Sequence, residues 1–125
     1  MSVVKLLKDH HIEVIGVCTQ DSVDLTLTRL VVTDPEGTSA LFMERGIAHS
    51  DCPVVVVEIQ EGDRDLTHCL STLMIAEVNI RFSYPLLQSE GNRARMAINV
   101  DDHEVASSAL HVAGFKVLHQ NDLSR

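Results

Sequence analysis

The feature that most constrains this chain is an internal repeat. Leu30-Val31-Val32-Thr33-Asp34-Pro35-Glu36 leads into the stretch Ser39 to Ile47, and Ile98-Asn99-Val100-Asp101-Asp102-His103-Glu104 leads into Ser107 to Phe115. Asp34 matches Asp102, Glu36 matches Glu104 and Gly46 matches Gly114, at a constant offset of 68 positions (102 − 34). An offset kept across a strand, a turn and a helix means that one supersecondary unit occurs twice. The local physics of the two copies agrees. In each, a β-rich run ends at an Asp whose short side chain suits a helix N-cap. Pro35 falls in the first helical turn, where a missing N–H costs nothing. Glu36 and Glu104 complement the positive end of the helix dipole. Gly46 and Gly114 suit the left-handed position that follows a helix, with Ile47 and Phe115 supplying the accompanying apolar contact.

A different amphipathic helix precedes each repeat. Leu66, Cys69, Leu70 and Leu73 form its apolar stripe in the second half, starting from Asp65 or Thr67; Val3, Leu6, Leu7 and His10 form the counterpart in the first. These helices end near Val78-Asn79-Ile80 and Ile12-Glu13-Val14, where β-branched residues take over. Between the helices the pattern predicts strand pairs, 14–19 with 25–33 and 80–87 with 94–100. Ser89-Glu90-Gly91-Asn92 and, more weakly, Asp21 to Asp24 serve as hairpin turns. Residues 54–59 predict a strand opening the second half and 116–119 one closing it, which gives the βαββαβ order of the ferredoxin-like split pattern. The first half follows the same order without an opening strand, and its closing strand is expected around 48–50. The fold class is therefore α+β, with two units, 1–52 and 53–125, each an antiparallel sheet with helices on one face.

Composition narrows the function. Hydrophobic residues make up 45 % of the 125, enough for a true core. The formal net charge is −8 and the ten Lys and Arg are scattered, which argues against nucleic acid or an anionic membrane as partner. No apolar run approaches the length of a membrane span and the N-terminus lacks a signal-peptide core. Cys18, Cys52 and Cys69 show no CxxC spacing, so a reducing, cytoplasmic setting is expected. The seven histidines match no zinc spacing, no GxSxG, GxGxxG or GxxxxGK motif occurs, and Asp101-Asp102 reads as a cap and not an acid–base dyad. The reading is a non-enzyme with no cofactor and no metal.

The succession resembles the small proteins built from two ACT domains, which are amino-acid-binding regulatory modules. The family pattern after the first strand is an acidic residue, a Pro-Gly loop, Leu and a helix ending in Gly-Ile-Asn-Ile. Here it corresponds to Val57-Glu58-Ile59-Gln60-Glu61-Gly62-Asp63-Arg64-Asp65-Leu66 and, at the helix end, Ala76-Glu77-Val78-Asn79-Ile80. The later Asp-Asp-Pro-Glu and Ala-Gly-Phe correspond to Asp101-Asp102-His103-Glu104 and Ala113-Gly114-Phe115. The sequence departs from the pattern at Asp63-Arg64, where the family has Pro-Gly, and at Glu77 and His11, where it has the helix-ending glycine. What the resemblance implies is a small-ligand site, often across an ACT–ACT interface, built here from Gly62, Asp63, Arg64, Asp65, Leu66, Asn79 and Ile80. An amino acid is the expected ligand, its carboxylate meeting loop N–H groups and Arg64, its ammonium Asp63 or Asp65. The competing expectation is a regulatory subunit that touches a metabolic enzyme and binds nothing small.

Two expectations concern assembly. Leu25, Leu27 and Val31 on one face of their strand, and Val54 to Val57 on both faces of theirs, predict a homodimer or larger that covers the helix-free sheet face. The absence of an opening strand before Ser2 predicts that a partner chain, or residues upstream of Met1, complete that sheet.

Overall fold

A computed structural model describes residues 3–87 and 93–123. In chain order the elements are α1 (Val3–Asp9), β1 (Val14–Asp21), β2 (Thr26–Val32), α2 (Pro35–Glu44), β3 (Val55–Ile59), α3 (Leu66–Ile75), β4 (Ile80–Pro85), β5 (Ala94–Val100), α4 (His103–Val112), β6 (Val117–Leu118) and α5 (Gln120–Leu123). They form two compact units. One comprises the chain up to Asp51 with the C-terminal segment that begins at Gln120; the other is Cys52–His119. The turn expected at Ser89–Asn92 lies outside the described residues.

The second unit is the complete ferredoxin-like one. Its sheet runs β4-β5-β3-β6 with every pair antiparallel. Alternation along the strands sends Val55, Val57, Ile98 and Val100 into a core with Cys69 and Leu73 of α3 and Ala106 and Leu110 of α4. Asp102 caps α4 by accepting from Val105 N–H, and Gly114 closes it with φ +91°. Phe115 N–H donates back to the Leu110 carbonyl, and its ring joins the core.

The first unit repeats these devices around a smaller sheet. Asp34 accepts from Gly37 N–H, Pro35 is the first residue of α2, and Gly46 has φ +68°. Leu6, Leu7, Ile12, Val32, Leu41 and Phe42 make the core. Its sheet holds β1 and β2 alone among the described residues. In the second unit the strand equivalent to β2 is β5, and β5 pairs on both sides; among the described residues β2 pairs with β1 only.

Two expectations need correction. Residues 48–50 do not form a strand: His49 instead bonds Ser39 Oγ and the Ile47 carbonyl and sets its ring edge-on to Phe42, which ties the segment to α2. The closing strand of the second unit is only Val117–Leu118, and the chain turns at once into α5, where Gln120 donates to the Val32 carbonyl. Val55, Val57, Ile98 and Val100 face the helices, and Val56 stands on the opposite face of the sheet. Leu25 and Leu27 are exposed. No helix among the described residues is long and apolar enough to cross a membrane.

Candidate functional site

The β3–α3 loop is shaped mainly by its own backbone. Gln60 N–H donates to the Arg64 carbonyl and Asp65 N–H to the Gly62 carbonyl, closing two nested turns. Gly62 sits at φ +96°, a conformation that favours glycine, and nothing lies within 4 Å of where a Cβ would stand. Glycine is therefore required here by the backbone conformation and not by a close neighbour. Asp65 caps α3, accepting from His68 N–H at 2.9 Å and pairing with His68 Nδ1 at 2.7 Å. The backbone bond from His68, helped by the side-chain bond, holds the Asp65 carboxyl below its ordinary value, so it is ionised at neutral pH.

Arg64 reaches away from the loop along the same unit. Its Nε donates to the Gly114 carbonyl at 2.6 Å, and its guanidinium lies over Gly114 so closely that a Cβ there would collide with it. The positive end of the loop and the C-terminus of α4 are thereby joined. Asp63 and Leu66 are exposed.

Asn79 and Ile80 stand elsewhere. The loop precedes α3 and Asn79 follows it; ten helical residues span about 15 Å. Within one unit, then, Asn79 and Ile80 do not wall the loop. Asn79 is held in a three-bond latch: its N–H and Nδ2 donate to the two Asp101 oxygens at 3.0 Å, and Asp101 N–H donates to the Asn79 carbonyl. Ile80 pairs with Val100 and packs against the core. The first unit has the same latch with different residues, Glu13 N–H to Thr33 Oγ1 and Thr33 N–H to the Glu13 carbonyl.

The residues between α3 and β4 also show how the missing helix-ending glycines are met. Glu77 and His11 adopt φ +60° and +61° themselves, at a strain of about 1–2 kcal/mol each. Glu58, the acidic residue at the end of β3, is buried and lies 3.8 Å from Arg93 and from Arg95. That separation gives charge attraction without a hydrogen bond, and Glu58 Oε1 has no hydrogen-bond partner. Burial raises the Cys69 thiol to about 11, so it is no nucleophile near neutrality. Three contributors were not singled out in sequence: Asp101 as the latch, the Gly114 carbonyl as the seat of Arg64, and the burial of Glu58. The 66-residue offset of Glu13 from Asn79 (79 − 13), against 68 for Thr33 and Asp101, was the one signal for the first.

Comparison with known proteins agrees with this architecture. The crystal structure of protein BT0572 from Bacteroides thetaiotaomicron superposes with a TM-score of 0.87 at 20 % identity, covering 98 % of this chain and 84 % of that one. The likeness shows the fold. No curated protein gives a significant match. Residues 1–125 match the family described as the ACT domain pair. Domains of this kind are in general regulatory, small-ligand-binding and non-catalytic. With the doubled caps, latches and α+β order of both units, this chain belongs to the ACT domain pair family.

Proposed function

We propose that the chain is a non-enzymatic sensor that binds a free amino acid or a related small zwitterion at the Gly62–Leu66 loop. The observation that supports it is the adjacency of Arg64 and Asp65, opposite charges on one loop at the N-terminus of α3, with Asp65 held ionised. A ligand carboxylate would meet loop N–H groups and the remaining donors of Arg64. Its ammonium would meet Asp65 or Asp63. Asn79 and Ile80 would then contribute from a facing ACT unit, as the resemblance implies, and the protein would work as a cytoplasmic homo-oligomer.

A second reading is favoured by a specific observation: Arg64 and Asn79 already have partners inside the chain, Gly114 and Asp101. On this reading the module regulates a metabolic enzyme by protein–protein contact and binds nothing small. Calorimetry with the common amino acids separates the two. Selective millimolar or tighter binding that Arg64→Ala weakens about tenfold supports the sensor, since a charge-assisted bond contributes that order. Binding that ignores Arg64→Ala moves the site elsewhere, and no binding leaves the protein-contact reading.

A further inference from the structure

A shallow groove runs along α4 and the turn into β6 in the second unit. Ser107, Ser108 and His111 of α4, with Gly114 and Lys116 of the turn, are among the residues that line it. Apart from half-buried Ser107 these are exposed, and their polar ends are hydroxyl, imidazole and ammonium groups. Arg64 adds a guanidinium at one edge, since it lies directly over Gly114. In a chain of net charge −8 with scattered cations, Lys116 and Arg64 bring two of them to one groove, although Asp63 and Asp65 flank Arg64 in the chain. Ser107, Ser108 and His111 share one helical face, as spacings of three and four residues require. Glu104 lies one turn earlier on that face and is the acidic group that opposes the site at its far end. The floor is apolar, formed by Phe115 and Val117.

We propose that this groove binds a small organic oxyanion, its phosphate or carboxylate held by Lys116, His111 and a serine hydroxyl and its carbon skeleton laid on Phe115 and Val117. The hydroxyls and imidazole supply directional donors, and Lys116 supplies the point charge that such a head group requires. Arg64 borders both this groove and the loop site above, but Lys116, His111 and the serines belong to the groove alone, so Lys116→Ala and His111→Ala test it independently of Arg64→Ala.

The test is an NMR titration of the whole chain with inorganic phosphate, phenyl phosphate and benzoate. Saturable shifts at the amides of Ser108, Gly114 and Lys116 are expected with phenyl phosphate or benzoate. Affinity should fall about tenfold in Lys116→Ala and again in His111→Ala, each losing a charged or directional partner at an exposed position. Binding of phenyl phosphate alone identifies the phosphate head, and of benzoate alone the carboxylate. Inorganic phosphate should bind more weakly than phenyl phosphate, because it cannot use the apolar floor. Shifts that do not saturate, that centre elsewhere, or that persist unchanged in both folded variants would overturn the proposal.

Discussion

The two units carry the same local instructions on sheets of different size. Both have an Asp cap, a glycine after the helix, a non-glycine residue at φ near +60° and a latch across the start of the sheet. Yet among the described residues one sheet has four strands and the other two, and the core clusters around them contain ten and six buried residues. Caps and latches therefore depend on neighbours within a few residues of chain or one strand pair. The extent of the core depends on how many strands are present to roof it.

Truncating equivalent core leucines gives the largest test of that contrast. Leu73 and Leu7 are both fully buried and 66 positions apart (73 − 7). Leu73→Ala is expected to cost about 4 kcal/mol and Leu7→Ala about 2–3, because a smaller, less enclosed cluster closes over a cavity more readily. Urea denaturation measures both, and equal losses would mean that sheet size does not govern packing here.

The latches come next. Asp101→Ala removes two bonds to Asn79, whereas Thr33→Val removes one to Glu13. Losses of about 1–2 and about 0.5–1 kcal/mol follow, and a reversed order would show that the first unit leans on its latch more. Glu77→Gly and His11→Gly should instead stabilise, by about 0.5–1 kcal/mol each, since the strain relieved exceeds the extra backbone entropy that glycine loses on folding. Equal gains in the melting curve are expected because the strain is local. A gain in one unit alone would make the left-handed residue a property of its surroundings.

The smallest effect is a titration. The Asp65 carboxyl is held below its ordinary value of about 3.8, so the helix support it gives is fully present above that value. It is lost as the pH falls through the lower folded value. Amide exchange in the first turn of α3 should accelerate only below about pH 4. Acceleration already at pH 5–6 would show that the Asp65 cap does not govern this turn.

Much of this was legible beforehand, for physical reasons that particular residues expose. Asp34, Asp102, Gly46 and Gly114 could be placed because capping is short-range and restricts residue type. The left-handed ends at His11 and Glu77 could be placed only through the family pattern, since neither residue type announces that conformation. The segment at 48–50 read as a strand because alternation over three residues is too short to outweigh a specific tertiary contact, here His49 with Ser39 and Phe42. For the candidate site, Gly62 to Leu66 lie together because they are consecutive. Asn79 could not be located relative to them until α3 gave the distance, and the choice of Gly114 by Arg64 spans 50 positions that no local pattern records.

The bond between Arg64 and Gly114 has a consequence for selectivity. The carbonyl is a resident competitor for the guanidinium, present at fixed effective concentration whether or not any solute is near. A weakly basic anion that offers no more than a peptide carbonyl cannot displace it and leaves the chain unchanged. One that forms a two-pronged, charge-assisted pair could. If the loop binds the ligand proposed above, its arrival would free the last turn of α4 from its tether, and occupancy on one side of the unit would be read as mobility on the other. The threshold for such a response and the means of transmitting it would then reside in the same hydrogen bond.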